Sequence, residues 1–192
     1  MVALGQRFLI RVDLNRERAV NYGGGMNSTP SIRTSAGSAH MTGLGLVLAG
    51  GLLGGALDLA FAFLYYGPSG ATPVRILQFI ASGVLGQGSF QMGLESATLG
   101  VFFHFFISLC AAAIYYGASL RFSFLTRRVV ISAIVFGILV FLTMRLVVVP
   151  LSAVKSGPMK ISSIVGELCS HMFLFAIPIA YAASSAARRR PS

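Results

Sequence analysis

The sequence has few charged residues and no tryptophan. Only 10% of its 192 residues are Asp, Glu, Lys or Arg, and five residues are acidic. A soluble domain of this length carries a charged surface of about a quarter of its residues, so the composition excludes an ordinary soluble globular protein. Because 55% of the residues are hydrophobic, the surface must face lipid. We therefore predict an all-α integral membrane protein.

Cysteine is also scarce. The sequence has two, Cys110 and Cys169, and both fall inside long apolar runs. Along a helix their depths differ by about 15 Å, whereas a disulfide joins Cα atoms about 5.5 Å apart. We therefore predict two free thiols rather than a disulfide.

The net charge of +10 comes from basic residues that flank the hydrophobic runs. No stretch alternates Arg or Lys with exposed aromatic residues, so the sequence does not predict a nucleic-acid partner. Basic residues beside apolar runs are typical of membrane proteins and attract anionic lipid. The predicted partner is the lipid bilayer.

Four apolar runs are long enough to cross a hydrocarbon core of about 30 Å as helices. A further segment, residues 75–92, contains Gln78, Gln87 and Gln91, so we predict a short interfacial or re-entrant helix there. The predicted transmembrane domain, residues 41–187, is a four-helix bundle between two basic tails, the first of them disordered. The predicted spans are residues 43–66, 94–120, 129–149 and 163–183, and the tails are residues 1–40 and 188–192.

The basic residues also predict the orientation of the bundle. Four spans place both termini on one side of the membrane, together with the loop at residues 121–128. That side has eleven arginines, whereas the opposite side has three basic residues, Arg75, Lys155 and Lys160. Because positive residues collect on the cytoplasmic side, we predict that both termini are cytoplasmic.

Four glycines in the first span form two overlapping pairs, each spaced four residues apart. Such a face lets the backbone of another helix approach closely, so we predict that it packs against a helix. A nucleotide-binding loop is excluded because no Lys-Ser or Lys-Thr follows. We also expect a homodimer if the chain transports a solute, and the Gly50/Gly54 face is a candidate for its contact. The four glycines are Gly50, Gly51, Gly54 and Gly55.

Six ionisable side chains fall within or at the ends of the predicted spans, all within about 15 Å of the outer surface. A charged side chain that faces lipid costs at least about 2.5 kcal/mol, so we predict that these residues converge in a polar pocket open to the outside. Arg145 keeps its proton and needs an acid; we predict an ion pair with Asp58, Glu167 or both. The predicted pocket residues are Asp58, Glu95, His104, Arg145, Glu167 and His171.

The same residues allow three further interpretations. Glu167 and His171 are spaced i, i+4 and share a helix face, and with His104 they are weak candidates for a metal site. The two histidines could instead ligate a haem, or relay a proton without any cofactor. Since Arg145 would repel a cation, we predict neither a metal nor another cofactor.

Motifs of enzymes are scarce. The sequence has no Gly-x-Ser-x-Gly elbow and no phosphate-binding loop. An intramembrane hydrolase that uses Ser170 or Ser162 with His171 is the one enzymatic alternative, but serine is common in membrane helices as a packing residue. We therefore favour a protein that is not an enzyme.

Residues 163–189, SIVGELCSHMFLFAIPIAYAASSAARR, resemble the last helix of the YagU-like family of bacterial inner-membrane proteins. FFHFFISLCAAAIYY (102–116) and Pro150-Leu151 match that family in the same order, and IASGVLGQGSF (80–90) resembles a segment of many bacterial membrane proteins of this size. The resemblance covers residues 43–190. The sequence departs from the family pattern in two places: the connection after the first span is shorter, and the residue at position 58 is an acid, Asp58. It implies a four-helix architecture and a bacterial inner (plasma) membrane location, but no reaction.

Three functions are compatible with these patterns. The leading hypothesis is a small transport or permeation-related protein whose outer-facing pocket binds a proton, an ion or a small solute. The second is a structural or accessory membrane protein whose buried charges only stabilise the bundle. The third is a metal- or haem-binding redox component.

Overall fold

The computed structural model describes residues 35–154, 157 and 160–189, with side chains from Gly43 onward. In this part of the chain every regular element is helical and no strand occurs, which confirms the predicted all-α fold. The first helix already begins at Ser35, inside the stretch assigned to the N-terminal tail. The rest of that tail and residues 190–192 lie outside the described residues.

Four of the helices are long and apolar enough to cross a membrane, as the sequence predicts. Their spanning parts are Gly43–Ser69, Gly93–Arg121, Val129–Leu151 and Ile161–Arg188. The helices are α1 (Ser35–Tyr66), α2 (Pro73–Leu85), α3 (Gly93–Arg121), the single turn α4 (Phe124–Arg127), α5 (Val129–Leu151) and α6 (Ile161–Arg188). We call the end of the bundle where α1 ends and α6 begins the Tyr66 end, and the opposite end the Arg121 end.

The segment predicted as a short extra helix contains α2. Thr72 caps this helix, because its side-chain oxygen accepts a hydrogen bond from the backbone N–H of Arg75 at 3.2 Å. The helix has 13 residues, too few for a span. It ends at Leu85 and is followed by Gly86, whose φ of +61° suits glycine. It packs on the first turns of α3, where the side-chain amide of Gln78 donates to the carbonyl of Gly93 at 2.9 Å.

Helix α6 lies at the centre of the bundle and contacts α1, α3 and α5. Toward the Arg121 end its buried surface is mostly alanine, together with Ile179 and Ser184, and these side chains are fully buried. Lipid tails are as apolar as leucine, so membrane helices associate through the close packing of small side chains. The buried alanines of α6 in this region are Ala176, Ala180, Ala183 and Ala186.

The four glycines of α1 face two different helices of the same chain. A Cβ atom added to Gly50 would collide with Ala182 of α6, and one added to Gly54 would lie 2.5 Å from the carbonyl oxygen of Phe175. On the other side Gly51 and Gly55 approach α3. The Gly50/Gly54 face is therefore covered by α6, and the proposal that this face joins two chains was wrong.

Two of the spanning helices contain a widened π-helical turn. In α5 the turn is Met144–Val148, and in α6 it is Ser170–Phe175. Each turn is followed by a proline, which lacks an N–H group and cannot make the regular hydrogen bond. Such turns are frequent at functional sites, and these two contain Arg145 and His171.

Candidate functional site

A row of hydrogen bonds follows α1 and joins it to α3 on one side and to α6 on the other. We call this row the polar column. By helix rise it extends about 22 Å, from Gly51 to Tyr66. Its members are Gly51, Gly55, Asp58 and Tyr66 on α1, His104 and Ser108 on α3, and Glu167, Ser170 and His171 on α6.

Asp58 occupies the middle of the polar column. The hydroxyl of Ser170 donates a hydrogen bond to its Oδ1 at 2.6 Å, and Nδ1 of His171 lies 3.8 Å from the same oxygen. The side chains of Asp58 and His171 are only 16% and 18% exposed. The π turn helps to bring Ser170 and His171 to one carboxylate, because its wider winding separates neighbouring side chains by a smaller angle than an α-helix does.

The ring of His171 is held on two sides. Its Nδ1 lies 2.8 Å from the backbone carbonyl oxygen of Glu167. A carbonyl oxygen only accepts hydrogen bonds, so Nδ1 is the donor. The ring packs against the rings of Phe141 on α5 and Phe175 on its own helix, with centroids 6.0 and 5.7 Å away.

The column reaches the Tyr66 end through Glu167. The hydroxyl of Tyr66 donates to Oε1 of Glu167 at 2.6 Å. The neighbouring Tyr65 stacks on Phe61 with centroids 5.3 Å apart, and both rings lie over Gly166. Aromatic rings therefore surround the end of the column. Sequence reasoning missed the role of Tyr66, although a tyrosine at the end of an apolar run has a hydroxyl that needs a partner when it is buried.

On α3 two polar side chains are satisfied by the backbone of α1. Nε2 of His104 donates to the carbonyl oxygen of Gly55 at 2.8 Å, and the hydroxyl of Ser108 donates to the carbonyl of Gly51 at 2.6 Å. Both carbonyls belong to glycines that face α3, and the missing side chains allow this approach. Ser108 forms the last link of the column toward the Arg121 end.

The six predicted pocket residues do not all lie together in the structure. Asp58 and His171 lie side by side, and Glu167 and His104 form hydrogen bonds at neighbouring positions of the polar column. Glu95 lies exposed in the first turn of α3, and its place in the pocket stays a prediction. Arg145 is half-buried on the π turn of α5.

The depth of Arg145 follows from the contact between α5 and α6. Gly137 of α5 lies against the backbone of His171, and the two helices run in opposite directions. Arg145 is therefore about two turns closer to the Tyr66 end than His171 is. Its predicted ion pair with Asp58 or Glu167 stays a prediction.

Two of the alternative interpretations concern the same residues. Within the described ranges no three His, Cys, Asp or Glu side chains are grouped so that they could hold a metal ion. The hydrolase alternative pairs Ser170 with His171, but the hydroxyl of Ser170 donates to Asp58, and the Nδ1 atom of His171 is itself a donor.

Comparison of the chain with protein-family models, with curated proteins and with solved structures finds no match in any of the three. The fold and the polar column define the class of the molecule as a four-helix, multi-pass membrane protein with a hydrogen-bonded row of ionisable groups between its helices.

Proposed function

We propose that this chain is a small transport or permeation-related protein whose polar column binds a proton, an ion or a small solute. The observation that supports the proposal best is the position of Asp58, close to the midpoint of the span Gly43–Ser69 and bonded to Ser170. A carboxylate at this depth costs about 2.5–3.5 kcal/mol on insertion scales, and such residues commonly belong to pathways for ions or protons.

The shape of the column favours access from one end. Its polar groups extend to Tyr66 and Glu167 at one end of the bundle and reach Ser108 in the other direction. Beyond Ser108 most of the contact between helices consists of alanine and other apolar side chains, with a few buried serines such as Ser132 and Ser184 among them. A ligand therefore enters from the Tyr66 end, and complete passage requires the alanine-rich contact to open.

The same proposal includes the orientation and the location of the protein. Eleven arginines belong to the tails and the 121–128 loop, so the Arg121 end faces the cytoplasm and the column opens outward. The resemblance to the YagU-like family favours the bacterial inner membrane. Ser69 and Ser123, each changed to cysteine in a cysteine-free background, test the orientation. An impermeant maleimide should label Ser69→Cys in intact cells and Ser123→Cys only in opened cells; the reverse pattern would place the column on the cytoplasmic side.

Transport itself is tested in liposomes that contain the purified full-length protein and a pH-sensitive dye. A pH gradient should collapse faster than in empty liposomes, and His171→Ala should return the rate to that of empty liposomes. Ser184→Ala is the control on the same helix, because Ser184 is buried among the alanines and lies outside the polar column. Wild-type liposomes that hold their gradient against protons, and against added monovalent ions and small solutes, would end the proposal.

An accessory role is the second candidate. It is favoured by the fact that the bonds Tyr66–Glu167 and Ser170–Asp58 join different helices, as bonds that only stabilise a bundle would do. On this view Asp58→Asn and His171→Ala weaken the fold, and no flux occurs with any variant. A homodimer stays a prediction tied to transport, and the mass of the protein in lipid nanodiscs tests it.

A further inference from the structure

The two nitrogens of the His171 ring have different surroundings. Nδ1 donates to the carbonyl of Glu167, so in the neutral ring the hydrogen is on Nδ1 and the lone pair is on Nε2. The hydrogen bond of Nδ1 also fixes the orientation of the ring. In that tautomer Nε2 is the ring nitrogen of His171 that can accept a proton.

Acidic side chains outnumber permanently positive ones around His171. Ionisable groups surround His171 on all three helices packed around α6 and on α6 itself, although the group on α5 lies about two turns closer to the Tyr66 end. Two of them are acids, each of which accepts a hydrogen bond from a hydroxyl group. One of them is an arginine, which keeps its proton. The groups are Asp58 on α1, His104 on α3, Arg145 on α5 and Glu167 on α6.

We propose that His171 and Asp58 form a proton-binding site. A hydronium ion delivers its proton to Nε2, a new N–H bond forms, and water leaves. The imidazolium then lies beside the carboxylate of Asp58, with Nδ1 at 3.8 Å from Oδ1. The inference rests on the proposed function and deepens it by naming the ligand as a proton.

A metal cation fits the same place less well. Divalent transition ions in proteins take about three or more nitrogen, sulfur or oxygen ligands, and the described side chains offer no such group of three. The nearest other histidine, His104, donates its Nε2 hydrogen to Gly55. The ring of His171 is packed against Phe141 and Phe175, and neither of these side chains has an atom that binds a metal ion.

Ser170 acts as a positioning residue in this site. Its hydroxyl donates to the oxygen of Asp58 that lies nearest to His171, so it fixes the carboxylate and stabilises the ionised form. Ser170→Ala should weaken proton binding at His171 less than loss of the Asp58 charge does, and Ser170→Thr should restore it because the hydroxyl is kept.

The test measures the ring-nitrogen chemical shifts of isotope-labelled histidine in the full-length protein, in lipid bilayers, over about pH 5 to 8. His171→Gln identifies the signals. We expect Nδ1 of His171 to remain protonated throughout and Nε2 to gain its proton as the pH falls. Asp58→Asn should weaken proton binding about tenfold or more, because the opposite charge nearby is lost, and Asp58→Glu should restore part of it.

Ser184→Ala is the control, since Ser184 is buried on α6 outside the polar column; it should leave the His171 signals unchanged. A neutral ring with its hydrogen on Nε2, a ring that never gains a proton in this range, or an unchanged titration in Asp58→Asn would overturn the site. If the ring titrates as expected but liposomes hold their gradients, the proton site stands and transport is rejected. If protons flow equally well in Asp58→Asn, transport stands and the site is rejected.

Discussion

The contact between α1 and α6 differs between its two ends. Toward the Tyr66 end it consists of hydrogen bonds, Tyr66 to Glu167 and Ser170 to Asp58. Toward the Arg121 end it consists of small apolar groups, with Gly50 directly against Ala182. A hydrogen bond between membrane helices contributes about 0.6 kcal/mol on average and can be remade in another arrangement, whereas close-packed surfaces resist any added atom. One pair of helices thus combines an adaptable polar half with a rigid apolar half.

The largest effect is expected in the rigid half, at Gly50. Gly50→Val should destabilise the protein by about 3 kcal/mol or more, because its first added carbon already collides with Ala182. Gly45→Val is the control on the same helix: no atom lies within 4 Å of a Cβ at Gly45, so the change should stay within about 0.5 kcal/mol. Unfolding of the purified proteins by heat or by sodium dodecyl sulfate measures both. Equal stability of the two variants would show that the contact is not rigid.

Much of this architecture could be predicted from the sequence. The lengths of the apolar runs predict the four spans, and the glutamines around Gln78 predict that α2 does not span. The spacing of the glycines predicts close helix contacts. Each of these features is local in the sequence, so periodicity and length are enough to find it.

The partners of the polar side chains could not be predicted in the same way. Tyr66 and Glu167, or Asp58 and Ser170, are far apart in the sequence, and which ones meet depends on how each helix is rotated. The spanning helices are apolar on nearly all sides, so the sequence contains little information about rotation. The π turn at Ser170–Phe175 changes that rotation further, and Pro178 is its only sign in the sequence. For the same reason the sequence did not indicate which helix covers Gly50 and Gly54.

A smaller change in stability is expected from substitutions of two buried serines of α6. Ser170 lies in the polar half and Ser184 in the apolar half. Ser170→Ala removes a bond to Asp58 and should destabilise the protein by about 0.6–1.7 kcal/mol. Ser184 is buried, and no hydrogen-bond partner of its hydroxyl is found among the described residues. Ser184→Ala should therefore leave stability unchanged or raise it slightly. The same unfolding measurements compare them, and a greater loss from Ser184→Ala would contradict the division into two halves.

The smallest effect is expected at the open end of the polar half. Tyr66→Phe keeps the aromatic ring and removes only the hydroxyl that donates to Glu167, so stability should fall by about 0.6 kcal/mol. Tyr65→Phe is the neighbouring control, since the stacking of Tyr65 on Phe61 involves the ring and not the hydroxyl. If the hydrogen bond closes the column, Tyr66→Phe should also let a water-soluble carbodiimide react faster with Glu167, as measured by mass spectrometry of the modified peptide. Equal rates in both variants would mean that Glu167 is already accessible, and the column would then be open at this end without any movement of Tyr66.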